Sequence, residues 1–380
     1  MNSNALHIWM NIPSFYQNDL FNELNQHFDT FEVVYAHAED NARKSQGWSF
    51  KNHQNYLSRT IGIDLNIWKL ITYTFKNRKA THIINGIWAE KYFFFVILLL
   101  NIFGANFLIY SEAPAPTKNR NKLKKTFLEF ILNPVAKLLI FRAKGILAIS
   151  IFAVEYFKGL GVKSEKIHRF GYFRNVEKTY KNHAINPVTS FIFVGQLIER
   201  KGILTLLESI KTLVEKTSFF HLTIIGSGEL EQILKAYIKS NSLQKLVTLH
   251  GAINSKNVVN HIQKADLLIL PSTFDGWGLV VNEALQCGIP ALISDQCGAK
   301  ELIIHGKNGL IFQSQNAISL ANELQTFMTL SPKEKAKMND HTQEMGAKIE
   351  IAQVTKYLTH CLNYTLNSNT VKPTAPWLND

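Results

Sequence analysis

Two carboxylates, Asp275 and Glu283, stand with seven residues between them in a stretch that also holds Gly276, Trp277, Gly278 and Leu279. Carboxylates accept paired hydrogen bonds well, which suits them to vicinal diols. A glycine-containing bend that opens a helix also offers backbone N–H groups to an anion. A second bend, Gly195-Gln-Leu-Ile-Glu-Arg-Lys-Gly202, carries Arg200 and Lys201 between glycines, again just ahead of a helical pattern. Acids suited to hydroxyls and cations suited to phosphate are thus written into two separate bends. The alternative for Glu283 is an acid that complements the dipole at a helix start. For Arg200 and Lys201 it is a surface pair without a role.

Both bends follow apolar runs. Ala265–Leu270 reads as a buried strand, and Leu279, Val280, Glu283 and Ala284 follow at helical spacing until Gly288 and Pro290. The second half repeats this order. Ser190–Val194, His221–Ile225, Val247–His250 and Ala291–Ser294 read as strands, each followed by a glycine-containing loop. Strands alternating with helices predict an α/β, doubly wound parallel sheet, whose ligands bind where strands end. Gly226 and Gly228 form a nucleotide-cleft loop. Glu231 stands where a dinucleotide fingerprint would have its third glycine, which argues against a dehydrogenase. His250 and Gly251 end a strand and are candidates to lie against a base. Cys287 has no partner histidine and reads as a packed helix residue.

The stretch Asp275–Pro290 resembles the retaining GT-B glycosyltransferases of family 4, the glycosyl transferases group 1. Their Glu-x7-Glu motif is matched at Asp275, Trp277, Gly278, Leu279, Val280, Glu283, Ala284, Gly288 and Pro290. Asp275 is one methylene shorter than the family's Glu. Gly195, Leu197, Lys201 and Gly202 match a second family pattern, with Gln196 replacing the usual Arg; Arg200 is the residue expected to compensate. The resemblance implies GT-B architecture, two Rossmann-like doubly wound parallel-sheet domains facing across a cleft. It implies that Asp275 binds donor-sugar hydroxyls, Glu283 the ribose hydroxyls, and Arg200 and Lys201 the diphosphate. It implies transfer with retention from a UDP- or GDP-linked sugar, the proton passing to the leaving diphosphate. No Asp-x-Asp occurs, so neither metal nor cofactor is expected, and cations with backbone N–H groups must hold the diphosphate. Double displacement by Asp275 and Glu283 is not expected. Such a pair needs carboxyls about 5–5.5 Å apart, and a helix rising about 1.5 Å per residue carries Glu283 away.

The 380 residues accommodate two domains. The reading is an acceptor-binding domain over 1–175, a nucleotide-sugar domain over 188–345, a closing helix over 346–365 and a loose tail over 366–380. Three cysteines without metal-like spacing fit a reducing, cytoplasmic setting, and the first residues show no signal-peptide pattern. Residues 1–187 hold 24 basic and 13 acidic residues, against 17 and 16 in the remainder. This asymmetry calls for an acidic partner. An anionic membrane at its cytoplasmic face is favoured, because Lys118–Lys125 feeds an amphipathic pattern through Leu123, Phe127, Ile131 and Leu138; a solvated loop is the alternative. Nucleic acid is not expected. Tyr92–Ser111 lacks charge but is broken at Asn101, Gly104 and Asn106, so it reads as buried helix plus strand ahead of a membrane-inserted element. Acceptor candidates are Asn11, Pro13, Asn85, Gly86, Trp88 and Glu112, all near strand ends. His82 reads as a core histidine and Ser150 as a helix cap.

The expected function is transfer of a sugar to a lipid-linked or polysaccharide acceptor in cell-surface glycan biosynthesis. The alternatives are another GT-B-like enzyme such as a sugar-nucleotide epimerase, or an inactive nucleotide-sugar-binding membrane scaffold.

Overall fold

Short apolar runs separated by amphipathic stretches leave the chain one economical arrangement, parallel strands with helices on their faces. The computed structural model describes residues 4–38, 54–87, 90–115, 134–177, 188–367 and 370–378. The chain divides into two units, one of residues 1–174 with 351–379, the other of residues 175–350.

The first unit holds seven strands: β1 (Ala5–Met10), β2 (Thr30–Tyr35), β3 (Leu57–Thr60), β4 (Thr81–Asn85), β5 (Asn106–Glu112), β6 (Gly145–Ile149) and β7 (Ile167–Phe170). Their order is β3-β2-β1-β4-β5-β6-β7, and every pairing is parallel. Helices α1 (Phe15–Asn25), α2 (Ile67–Lys76), α3 (Lys91–Ile102) and α4 (Ser150–Gly159) join them. Trp9, Phe93, Phe107 and Phe157 fill the core under α3 and α4. The uncharged stretch 92–111 is indeed helix then strand: α3 ends at Ile102, and Gly104 takes φ +67° before β5. No helix among the described residues is long and apolar enough to cross a membrane.

Three readings are corrected here. The stretch 36–60, read as loop throughout, contains β3, whose Leu-Ser-Arg-Thr sequence is polar because it is an edge strand. Ser150 does not cap α4: it takes φ +71°, and its buried Oγ has no hydrogen-bond partner among the described residues. The tail is not loose in its described part. Trp377 is buried and packs 4.8 Å from the Phe173 ring and 5.6 Å from Tyr357 on the last helix, α11 (Ile351–Leu366), which itself belongs to the first unit.

His82 is a satisfied core histidine. Its Nδ1 accepts from the Trp9 indole at 3.2 Å, and its Nε2 donates to Asn77 O at 3.0 Å. Burial, and then His7 beside it, push its pKa down to about 3.

The second unit holds β8 (Thr189–Val194), β9 (Phe220–Ile225), β10 (Val247–Gly251), β11 (Leu267–Leu270), β12 (Ala291–Ser294) and β13 (Gly309–Phe312). They lie in the order β10-β9-β8-β11-β12-β13, all parallel. The helices are α5 (Ile203–Val214), α6 (Glu231–Ser240), α7 (Ser255–Ile262), α8 (Leu279–Gln286), α9 (Ala317–Thr329) and α10 (Pro332–Lys348). Every residue of β11 is buried, as a central strand covered on both faces requires. The strand order reverses between β8 and β11, which pair at Leu267 with Phe191 and Leu268 with Ile192. In open parallel sheets, ligands bind outside the carboxyl ends of the strands at such a reversal.

Candidate functional site

The loops leaving β8 and β11 are the cationic and acidic bends. Distant in sequence, they start from neighbouring strands at the reversal. Backbone groups join them: Thr273 donates its N–H to Arg200 O at 2.8 Å, and its hydroxyl donates to the same oxygen at 3.2 Å. Gly202 makes this approach possible. It takes φ +65°, and a Cβ there would sit 1.9 Å from Pro271 O.

The side chains then meet. Lys201 Nζ donates to Asp275 Oδ2 at 2.5 Å, and the Ser272 hydroxyl donates to the same oxygen at 3.3 Å. Arg200 donates to Phe274 O at 3.0 Å, with its guanidinium 3.9 Å from Asp275 Oδ1. Both Lys201 and Asp275 are largely buried, with side chains 15% and 12% exposed. An ammonium offers three donors, so Lys201 retains two beyond its bond to Asp275. Gln196, where the family pattern has Arg, is exposed, and Arg200 is the guanidinium on this loop that reaches the acidic bend.

Two helices begin at these bends. Glycine is the N-cap of both α5 (Gly202) and α8 (Gly278), in left-handed conformations and without a side-chain cap bond. By contrast, α9 and α10 are capped by the Asn316 and Ser331 side chains. Helix starts without a side-chain cap keep N–H donors and positive potential available to an anion.

Glu283 lies beyond the first turn of α8 and is 5% exposed. The dipole effect fades within the first turn, so the helix-dipole reading does not account for burying this acid. Trp277 is also buried. Its indole N–H donates to Asn282 Oδ1 at 2.9 Å and its carbonyl accepts from Ala299 N at 2.7 Å, so the indole packs into the protein rather than facing a ligand. Gly226 and Gly228 bring their loop onto the cationic one: a Cβ at Gly226 would lie 1.8 Å from Gly195 O, and one at Gly228 2.5 Å from Leu197 O. His250 is exposed at the end of β10, its ring 5.0 Å from that of His261, and Gly251 O accepts from Gly226 N.

A third loop, after β12, escaped the sequence reading. Asp275 N donates to Gln296 O at 3.0 Å, and Gly298 N to Asp275 O at 2.9 Å, clamping the acidic residue from its other side. Burial, and then the charge of Asp275, push the Cys297 thiol up, and its Sγ donates to Trp277 O at 3.0 Å. The usable signal was strand order, because a loop after β12 must neighbour one after β11.

In the first unit, Asn11 and Pro13 follow β1, Asn85 ends the adjacent β4, and Gly86 follows it. Asn85 Nδ2 lies 3.6 Å from Met10 Sδ. Asn11 Oδ1 is buried without a hydrogen-bond partner among the described residues, and Gly86 N donates to Tyr110 O at 2.8 Å. Glu112 ends β5. Trp88 and the basic segment 118–125 lie outside the described residues. The same edge carries two residues the sequence reading did not nominate as site residues: strained Ser150 after β6, and His37, whose Nε2 is 3.0 Å from Glu90 Oε1.

Two doubly wound parallel sheets of this order define the GT-B fold class. A crystal structure of Anabaena Alr3699/HepE in complex with UDP superposes with a TM-score of 0.73 over 95% of this chain and 99% of its own, at 16% identity. The apo form of the lipopolysaccharide outer core galactosyltransferase WaaB gives 0.68 over 95% and 99%, at 17% identity. Residues 177–345 match the family described as Glycosyl transferases group 1. The amylovoran biosynthesis glycosyltransferase AmsK of Erwinia amylovora is 29% identical over 170 residues, 43% of this chain and 42% of AmsK. The chain thus spans about half the length, or less, of the curated relatives it matches.

Proposed function

We propose that the protein is a retaining, metal-independent glycosyltransferase that moves a sugar from a UDP- or GDP-linked donor to a glycan or lipid-linked acceptor. The observation that carries this reading is the meeting of Lys201 and Asp275 at the strand-order reversal, between two helix starts without side-chain caps. Lys201, Arg200 and the amides opening α5 and α8 stabilise the diphosphate as negative charge builds on it. Asp275 and Glu283 hold sugar and ribose hydroxyls. The bond from the anomeric carbon to the diphosphate oxygen breaks, the acceptor oxygen forms its bond on the same face, and the acceptor proton passes to the departing diphosphate. The acceptor binds at the carboxyl edge of the first unit, near Asn11, Asn85, Gly86 and Glu112.

HepE's bound UDP and the polysaccharide setting named for AmsK and WaaB support a UDP donor and a surface-glycan pathway. Attachment to an anionic membrane at its inner face is supported by the first unit's surface. Phe94, Leu98 and Ile102 form an exposed stripe at four-residue spacing on α3. Trp68 and Phe75 are exposed on α2, and Phe75 packs 5.3 Å from Phe103 beside that stripe. Lysines 69, 76, 79 and 91 flank these residues in sequence.

The test is incubation with a panel of labelled nucleotide sugars, without and then with membrane-derived acceptor. Slow hydrolysis of one donor to free sugar and nucleoside diphosphate is expected without acceptor; with acceptor, the nucleoside diphosphate is released faster and the label moves onto the acceptor. An epimerised donor, or tight binding without release, would overturn the reading.

A further inference from the structure

A cavity of about 270 Å³ opens in the first unit, with Lys158, Ser164, His168, Arg169, Tyr357 and Lys372 among its lining residues. It lies at the amino end of β7: Ser164 precedes the strand, and Lys158 sits in the last turn of α4. Ligands of parallel sheets bind at the other, carboxyl end, so this cavity stands apart from the acceptor candidates.

Its lining is cationic and only partly committed. Lys372 Nζ donates to Ser164 O at 2.6 Å, which pins the returning tail and leaves two of its three donors. Lysine 372 is held below its ordinary pKa by burial; Cys361 and Glu165 act against this, while Lys158 and Arg169 add to it. Glu165 is itself exposed and within 4.0 Å of Lys163. The Tyr357 hydroxyl is spent on Arg169 O at 3.0 Å. His168 is 1% exposed, and neither ring nitrogen has a hydrogen-bond partner among the described residues. Burial, then the Lys372 charge, push its pKa down to about 4, so the ring is neutral and keeps one donor and one acceptor. Gathered like charges and an unpaired buried ring are both unfavourable until an anion enters.

We propose that this cavity is a binding site for a phosphate group, either free inorganic phosphate or the phosphate monoester of a lipid headgroup. Its volume is below the roughly 300–1,000 Å³ of sites for drug-sized ligands, which favours a small anion over a nucleotide sugar. An anion there would tie the tail to α4 and β7.

The experiment is a histidine-labelled NMR titration of the full chain with inorganic phosphate, against sodium chloride at matched ionic strength. His168→Gln assigns the resonance. A saturable shift at His168 is expected, retained in Lys201→Ala and weakened about tenfold or more in Lys158→Gln/Lys372→Gln. Both exchanged lysines are exposed, and thermal unfolding verifies that the variant folds. Vesicles of phosphatidylcholine with phosphatidic acid separate the sources. Capture that the double substitution abolishes identifies a lipid headgroup, and a phosphate shift without such capture identifies the free ion. No saturable shift, or a shift unchanged in the double variant, overturns the proposal.

Discussion

Lys201 Nζ meets Asp275 Oδ2 at 2.5 Å across 74 residues of sequence. The pair joins the loops of β8 and β11 and places a cation and an acid together at the strand-order reversal. Each is largely buried, so neither is easily left without the other. Asp275→Ala is predicted to lower thermal stability and to remove the affinity gained from the sugar, leaving nucleoside-diphosphate binding closer to wild type. Parallel calorimetry with UDP and UDP-sugar checks this. Equal discrimination between the two ligands in both proteins would contradict it.

Gly202 is required by its contact with Pro271 O. Gly202→Ala combines a left-handed φ with a Cβ 1.9 Å from that oxygen, so the loops must separate. A loss of at least ~2 kcal/mol in unfolding free energy is expected, together with loss of donor binding. Denaturant unfolding with intrinsic fluorescence measures the first quantity; a change under ~0.5 kcal/mol, the usual range of a surface substitution, would count against the contact.

Glu283→Gln keeps the size of the side chain and removes its charge. If this acid holds the ribose hydroxyls, affinity for UDP falls roughly tenfold, the scale of a charge-assisted hydrogen bond, while stability changes little. A change in stability alone, with UDP affinity intact, would assign Glu283 to the fold.

Ser150 occupies a conformation that glycine adopts freely, and its Oγ lies buried without a partner among the described residues. Ser150→Gly is predicted to raise the melting temperature by a few degrees, equivalent to about 1 kcal/mol. A simultaneous fall in transfer rate would place the hydroxyl in acceptor handling, and differential scanning calorimetry beside an acceptor titration reads both.

His82 gives the fold an acid limit. Its folded pKa is lowered to about 3, so between about pH 6.5 and pH 3 the unfolded chain binds the extra proton and stability falls as pH falls. At pH 5 this histidine alone removes roughly 2 kcal/mol relative to pH 7 and above. Protonating Nδ1 would also break the bond from Trp9. An NMR titration in which the His82 ring titrates near pH 6.5 would refute this.

Much of this architecture could be read from residue order, and the reasons are local. Leu267–Leu270 is uniformly apolar because both faces of β11 are covered, so it announces itself. Leu57–Thr60 is polar because β3 is an edge strand, so it looks like loop. The chemistry of Arg200, Lys201, Asp275 and Glu283 was visible as residue types. Their convergence depends on β8 and β11 being neighbours, a fact of strand order that no local window contains. Ser150 was misread because serine before a helix is commonly a cap, whereas here the backbone turns left-handed and carries the side chain away from that role. Trp377 near the chain's end was a warning against a loose tail, since a side chain of that size seldom stays in water when aromatic partners are near.

The most direct measurement is calorimetric titration of the productive nucleotide sugar into wild type, Lys201→Ala, Asp275→Ala and the double variant. If the two bends hold one donor, each single substitution weakens binding by tenfold or more, and the double variant loses less than the sum, because the residues act on the same ligand and on each other. Wild-type affinity in Lys201→Ala, or strictly additive losses, would contradict a shared site.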